Sequence, residues 1–191
     1  DSGTLLGLVR DGKLIKGDND IDIGIESSEL IRFLKVYEDC FINKYNHKKY
    51  YYKNRVYKVK LFSETHKKSI DINLFYKNDD FFFCPQVIYN EIKKSSYFLR
   101  TIRKISTIIL EMKSNKNIHY DKGLIKYFVK MGFWKIPSKY IEKTNFIKID
   151  EININAPVFK EEYLTERYGD WRIPCKDWVF CRDDGLFINN P

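Results

Sequence analysis

The most constraining feature of this 191-residue chain is a pair of aspartates, Asp20 and Asp22, in the run DNDIDIG near its N-terminus. Alternate residues of a β-strand point to the same side, so these carboxylates project together while Ile21 and Ile23 point the other way, which we predict to be a core. Two carboxylates this close repel each other unless a positive charge neutralises them. Because a hard divalent cation prefers oxygen ligands, the pattern predicts a metal-phosphate site on a strand.

A third aspartate lies in a similar strand further along the chain. Asp71 stands between Ile70 and Ile72, and if these isoleucines are buried its carboxylate faces the opposite side. If this strand lies beside the first, Asp71 joins Asp20 and Asp22 on one face. We therefore predict that the three carboxylates hold one or two Mg²⁺ or Mn²⁺ ions and carry the catalysis.

The segment before the first strand carries groups suited to binding phosphate. Gly3 and Thr4 offer backbone N–H groups and a hydroxyl, and glycine lets a phosphate approach closely. The forked guanidinium of Arg10 suits a diphosphate, and we expect it to lie beside the glycine turn. Lys16 is a further phosphate-binding candidate, with a solvated cation as the simpler alternative. Asp18 is either an additional metal ligand or an ordinary turn residue.

The hydrophobic pattern predicts an α/β fold, α+β in a stricter scheme, with a small mixed sheet flanked by helices. Residues 21–25, 55–62 and 69–76 have the apolar alternation of strands, and residues 30–37 have helical spacing. In the strand at 55–62, Tyr57, Val59 and Leu61 fall on one face, with Lys58 and Lys60 on the other. We expect residues 1–191 to form one domain, because no linker or repeat interrupts them.

The second half of the chain is predicted to be more helical. Two runs have apolar residues at intervals of three and four, which indicates helices. They are Leu99, Ile102, Ile105, Ile109 and Met112, and then Leu124, Ile125, Phe128 and Val129. Residues 146–154 alternate in part, which favours a small hairpin.

The formal net charge is +8. Such a charge is consistent with phosphorylated substrates, an anionic membrane surface or nucleic acid, and equally with a lysine-rich composition that has no binding role. No apolar stretch is long enough to span a membrane.

Two further features leave alternatives open. Cys175 and Cys181 are six residues apart, and free thiols are favoured over a structural zinc site because four ligands are needed. The run Tyr50–Tyr52, beside Lys48 and Lys49, either stacks on a base or sugar or packs in an ordinary amphipathic strand.

Several motifs together resemble the LicD/fukutin family of phosphotransferases. They are GTLLGLVR at 3–10, DNDIDIG at 18–24, IDI at 70–72, and EEYLTERYGDW at 161–171 followed by Pro174. The resemblance implies a nucleotidyltransferase fold like that of DNA polymerase beta. It covers nearly the whole chain, densely at both ends and thinly from about 84 to 145. It also implies an N-terminal truncation, since relatives carry a helix before the motif. In one departure, Lys16 and Gly17 replace the Pro-aromatic pair usual before the acidic strand.

The resemblance further implies a function. The enzyme would transfer phosphocholine, ribitol phosphate, glycerol phosphate or a similar group from a CDP-activated alcohol to a sugar hydroxyl of a surface glycan, such as capsule or lipopolysaccharide. The acceptor would be a glycan or lipid-linked oligosaccharide, and CMP would leave. Residues Tyr168, Gly169, Asp170 and Trp171 would close the site over a substrate, or else pin the tail to the core. The location would be the cytoplasm, or the inner face of the membrane with peripheral contact to anionic lipid.

Two rival functions are retained. The first is a nucleotidyltransferase that moves NMP from an NTP to a protein, a small molecule or a nucleic acid, although nucleic acid is not the expected partner. The second is an inactive binding module. The acidic triad argues against the second rival, because a protein without catalysis has little reason to bear the repulsion of three clustered acids.

Overall fold

The computed structural model describes residues 1–65, 68–89, 101, 105, 117–122, 126, 129–149 and 151–189. The first part contains α1 (Ser2–Asp11), β1 (Asp20–Glu26), α2 (Leu30–Cys40), β2 (Asn46–Tyr52), β3 (Arg55–Phe62), β4 (Ser69–Asn78) and β5 (Phe81–Tyr89). The second part contains β6 (Asn117–His119), β7 (Val129–Pro137), α3 (Lys139–Glu142), β8 (Thr144–Ile149), β9 (Ile152–Pro157), α4 (Lys160–Tyr168), α5 (Phe180–Asp183) and β10 (Phe187–Ile188).

The strands form one mixed sheet and a separate hairpin. Seven strands of the sheet follow the order β10-β7-β5-β4-β3-β2-β6, and β1 pairs with β4. The pairing of β1 with β4 is parallel and sets Asp22 opposite Asp71, whereas β3 runs antiparallel to β4. Because Asp22 and Asp71 share one position in the register of a parallel pair, their side chains leave the sheet on the same side.

Helix α2 covers one face of this sheet. Its buried Tyr37 packs with Val59 and Leu61 of β3 and Ile72 of β4. These strand residues alternate with polar residues that point to the opposite face. The core under α2 therefore fixes which face of β3 and β4 carries the charged side chains.

The main core lies at the other end of the sheet and holds the C-terminal tail. Buried residues of α1, β4, β5, β7 and α4 pack together there. They include Leu5, Phe75, Phe82, Trp134, Ile136, Tyr163, Leu164 and Trp171. Since α1 and α4 share this core, the N-terminal and C-terminal motifs lie in one part of the molecule.

The predicted fold class is confirmed, as are the strands at 21–25, 55–62 and 69–76, the helix at 30–37 and the hairpin near 146–154. One burial prediction was wrong, because Ile23 is 41% exposed. Among the described strands, β1 pairs with β4 alone. The other edge of β1 is therefore uncovered, and Ile23 is left partly exposed there.

The second half holds more strand than the apolar spacing indicates. Val129, predicted to end a helix, begins β7 instead. Val129 is apolar because it is buried in a core cluster with Tyr57, Ile118 and Tyr120, and this burial accounts for its place in the apolar pattern. The other residues of the two predicted helices lie outside the described residues, except Ile105.

The tyrosines of β2 pack within the protein. The rings of Tyr50 and Tyr120 stack with centroids 6.1 Å apart, and Tyr52 meets Phe133 edge-on at 5.7 Å. Tyr51 stacks on His119 at 4.5 Å. These contacts favour ordinary packing over a surface for a base or sugar.

Candidate active site

Three aspartates lie on the sheet face opposite α2. Asp20 and Asp22 project from β1, and Asp71 projects from β4 directly across from Asp22. The three carboxylates are near enough to repel, since Asp71 acts electrostatically on both Asp20 and Asp22. The structure thus brings together the three residues that the sequence selected, and parallel pairing of β1 and β4 is what does it.

Two lysines of β3 engage the third carboxylate. Lys58 Nζ lies 3.0 Å from Asp71 Oδ2, and Lys60 Nζ lies 3.5 Å from Asp71 Oδ1. Asn73 of β4 is buried and donates from Nδ2 to Asp22 Oδ1 at 3.3 Å. These three residues were not selected from the sequence, although alternation along β3 and β4 puts them on the face of Asp71.

The carboxylates on β1 are held in an environment that disfavours their charge. Burial is the largest cause that raises the pKa of Asp22, with further contributions from Asp20 and Asp71, while Lys58 opposes the rise. Burial also raises the pKa of Asp20, followed by the charge of Asp71 and a hydrogen bond with Asp18. At β1, burial therefore outweighs the nearby positive charges that favour ionised carboxylates.

The chemistry of this face fits a hard divalent cation. Carboxylate oxygens are the ligands that Mg²⁺ and Mn²⁺ prefer, and buried Asp71 Oδ1 has no hydrogen-bond partner. Among the described residues, no three His, Cys, Asp or Glu side chains are already arranged as a metal-binding group. Asp20 and Asp22 would hold the cation, whereas Asp71 is engaged by lysines in this arrangement.

The residues expected to form a glycine turn are the first turn of α1. Thr4 is buried, and its Oγ1 accepts a hydrogen bond from the backbone N–H of Asp22 at 2.8 Å. A Cβ on Gly3 would lie 3.2 Å from Asp18 Oδ2, so glycine admits a carboxylate here. Thr4 thereby positions the acidic strand, and phosphate contact by Gly3 and Thr4 stays a prediction.

Part of the tail motif approaches the same face. Tyr168 is the last residue of α4, and the pKa of its hydroxyl is raised to about 12. Burial is the largest cause, the charge of Arg167 opposes it, and the charges of Asp184, Asp22 and Asp18 add to the rise. The hydroxyl of Tyr168 therefore lies within electrostatic range of Asp22 and of Asp18 in the turn before β1.

The rest of the tail motif is built into the core or faces solvent. Trp171 is buried and donates from Nε1 to Thr165 Oγ1 at 3.2 Å. Gly169 caps α4 with a φ of 64°, a left-handed conformation that favours glycine. Asp170 is exposed. Trp171 thus fits the interpretation that the tail is pinned to the core.

Residues 1–99, about half of the chain, match the sequence pattern described as the LicD/FKTN/FKRP nucleotidyltransferase domain. The chain belongs to the LicD/FKTN/FKRP family. The matched residues include all three aspartates and both lysines of β3. At the level of the family, the protein is a transferase of the phosphotransferase type that modifies glycans.

No curated protein matches the chain significantly. Membership of the LicD/FKTN/FKRP family therefore rests on the matched domain. Among the described residues, no helix is both long and apolar enough to cross a membrane.

The structure separates Arg10, a predicted ligand of this LicD/FKTN/FKRP domain, from the glycine. Arg10 lies in the last turn of α1, about 10 Å along the helix from Gly3 at the usual rise per residue. The expectation that it lies beside the glycine was therefore wrong. Its guanidinium pairs with Asp11 at 2.9 Å, and Lys16 is exposed. A role in donor binding stays a prediction for both.

A mostly apolar cavity of about 420 Å³ adjoins the acidic face at the open edge of β1. Asp22 lines it together with Ile21 and Ile23 of β1, and the hairpin contributes Ile147 and Ile154. Its volume lies in the range usual for ligand pockets, which combine apolar walls with a few polar groups. The exposed Ile23 is thus explained as a wall of this cavity.

All four cysteines are free thiols. Cys84 is fully buried, and burial raises its pKa to about 12. Cys175 is exposed and Cys181 is half-buried, and within the described residues neither belongs to a group of three potential metal ligands.

Proposed function

We propose that this LicD/FKTN/FKRP protein transfers a phospho-substituent from a CDP-activated alcohol to a sugar hydroxyl of a surface glycan and releases CMP. Phosphocholine, ribitol phosphate and glycerol phosphate are the groups considered. The observation that supports the proposal is the parallel register that sets Asp22 opposite Asp71, with Asp20 beside them, inside the matched domain.

The proposed chemistry is an in-line displacement at phosphorus. The oxygen of the acceptor hydroxyl bonds to the phosphorus that carries the alcohol, and the bond to the oxygen of CMP breaks. Asp71 accepts the hydroxyl proton, and Asp20 and Asp22 hold a divalent cation, Mg²⁺ or Mn²⁺. When bound, that cation neutralises phosphate charge and lowers the pKa of a coordinated hydroxyl. Positioning and electrostatics supply most of the acceleration in such transfers.

We place the acceptor in the cavity beside Asp22. Its largely apolar walls suit an acceptor with an uncharged surface or a lipid-linked oligosaccharide, and the cavity leads to the acids. The net charge of +8 supports a further proposal, contact with an anionic membrane surface from its cytoplasmic side. Replacing Ile23 by tryptophan should fill the cavity and reduce transfer to acceptor, while slow hydrolysis of the donor by water continues.

A panel of CDP-alcohols, incubated with and without Mg²⁺, tests the donor class by release of CMP. We expect metal-dependent release from at least one CDP-alcohol and none from labelled NTPs. Transfer of labelled NMP from an NTP would instead establish the nucleotidyltransferase alternative. Absence of both reactions, together with no heat of binding for Mg²⁺ or Mn²⁺, would favour an inactive binding module.

A further inference from the structure

We propose that Lys58 and Lys60 are phosphate ligands that occupy Asp71 until a phosphorylated donor draws them away, so that donor and divalent cation bind cooperatively. This inference rests on the proposed function, because it assumes that the acidic face receives both. It assigns a substrate-binding role to two residues of β3 that the motif leaves out.

The position of the lysines is fixed by strand pairing. In the antiparallel pair of β3 and β4, Lys60 lies opposite Asp71 and Lys58 lies opposite Asn73. Both lysines therefore leave the sheet on the acidic side, while Val59 between them fills the core under α2. Their ammonium groups can reach a phosphate at Asp71 by side-chain rotation alone.

The two lysines carry more positive charge than is needed to neutralise the single carboxylate of Asp71. Lys58 and Lys60 both form ion pairs with the Asp71 carboxylate, whereas Asp20 and Asp22 on the neighbouring strand form no salt bridge within the described residues and feel the two lysines only at longer range. The side chains of Lys58 and Lys60 are 22% and 33% exposed, against 7% for Asp71. The two lysines are thus more accessible than the anion they contact, Lys60 the more so, which suits an incoming phosphate.

The lysines also compete with a cation for Asp71. While both ammonium groups contact it, a divalent ion meets two carboxylates on β1 and an Asp71 already neutralised. A diphosphate offers the lysines more negative charge than Asp71 does. Their departure leaves Asp71 as an unpaired negative charge beside the cation on Asp20 and Asp22, which favours cation binding and frees Asp71 to accept the hydroxyl proton. By linkage, each ligand then raises the affinity of the other by the same factor.

Lys68 also lies near this face but has a different role. It donates to the backbone carbonyl of Asp18 and, within the described part of the chain, forms no salt bridge with a carboxylate of the face. It therefore stabilises the turn before β1. Lys58 and Lys60 are the lysines paired with an aspartate of the candidate triad among the described residues.

Titrations of Mn²⁺ and cytidine diphosphate, followed by calorimetry and by the electron paramagnetic resonance of free Mn²⁺, test the proposal without any turnover. In the wild type, we expect each ligand to tighten the other by about tenfold, within the usual range of coupling. In Lys60→Met, Mn²⁺ alone should bind more tightly, cytidine diphosphate alone more weakly, and the coupling should fall toward onefold.

Two further variants keep the test interpretable. Lys58→Arg retains charge at the more buried position, so it should keep coupling even where Lys58→Met fails to fold for want of a partner to Asp71. Lys77→Met removes an exposed lysine of β4 that pairs with Glu142 at 2.5 Å, and it should match the wild type in all titrations. Thermal melting of each variant confirms that the folded protein is being titrated.

The outcomes distinguish this inference from the proposed function. Coupling of wild-type size in folded Lys60→Met would overturn the role of the lysines and leave the proposed function standing. A wild type that binds neither Mn²⁺ nor cytidine diphosphate would overturn both. Independent binding of the two ligands in the wild type would also overturn the inference alone.

Discussion

The cluster around Arg167 and the acidic face around Asp22 are both charged and largely buried, but their charges are satisfied to different degrees. Arg167 is 1% exposed and pairs with Asp184 at 2.5 Å and with Asp1 at 3.2 Å. Its guanidinium also donates to the Tyr163 hydroxyl oxygen at 2.9 Å and lies 4.3 Å from the Trp134 ring centroid. All three nitrogens of this guanidinium donate hydrogen bonds within the protein.

The acidic face lacks such closure. The pKa values of Asp20 and Asp22 are raised, with burial as the largest cause, and buried Asp71 Oδ1 accepts no hydrogen bond. A buried charge without full partners costs free energy that folding alone has no reason to retain. The comparison teaches that the guanidinium of Arg167 is paired within the fold, whereas the carboxylates of the acidic face carry a penalty that the proposed ligands would relieve.

The largest expected effect is on turnover, at the acidic face. Asp22→Asn keeps the shape but removes a charge, so kcat should fall about 10⁴-fold, the scale seen when a charge-stabilising group of a phosphoryl transfer is lost. The metal-free variant should melt at the wild-type temperature or slightly above, because repulsion is relieved. Steady-state kinetics and calorimetric melting test this, with exposed Asp39→Asn as the control. A variant that unfolds would place Asp22 among the structural charges.

The second prediction concerns the satisfied cluster. Arg167→Met should lower the free energy of unfolding by about 3–5 kcal/mol, because Asp184 is left buried without its partner. Urea denaturation measures the change. The control is Arg172→Met, which removes an exposed pair with Glu161 and should cost about 1 kcal/mol at most. Equal stability of the two variants would break the comparison between the clusters.

The third prediction separates donor binding from the chemical step. Arg10→Lys should weaken binding of a CDP-alcohol by about 1–3 kcal/mol, because the charge stays while the fork is lost. Asp71→Asn should instead lower kcat with donor affinity less affected, since it acts on the attacking hydroxyl. Calorimetry beside kinetics measures both. Unchanged donor affinity in Arg10→Lys and Arg10→Ala would leave Arg10 as the surface partner of Asp11.

The smallest effect is the pH dependence of stability without metal. Because the folded protein raises the pKa of Asp22 above 3.8, ionised Asp22 destabilises the fold at neutral pH. The advantage of Asp22→Asn in chelator should therefore be present at neutral pH and vanish as the pH falls through that raised value. Asp183, whose pKa Arg182 lowers, gives the opposite sign: Asp183→Asn should lose its disadvantage in acid. Thermal melting of the wild type, Asp22→Asn and Asp183→Asn over a range of pH measures both effects.

The candidate site was predictable where it depends on local pattern. Alternation put Asp20 and Asp22 on one side of a strand and Asp71 on one side of another, and it put Lys58 and Lys60 opposite the apolar residues of β3. Alternation cannot say which strands are neighbours, so the contact between these lysines and Asp71 was missed. Helical spacing in the second half misled at Val129, because burial in a strand can mimic a helical pattern over a few residues.

The sequence by itself determined the fold class, the strands that carry the aspartates, and the family to which they belong. These follow from the side-chain period of a strand and from motif spacing, which are local properties of the chain. Only the tertiary structure decided that Thr4 holds the strand of Asp22, that Arg10 lies two turns from Gly3, and that Ile23 lines a cavity. The reason is physical: pairing, burial and the charge around a carboxylate depend on residues far apart in sequence, which meet only once the sheet has formed.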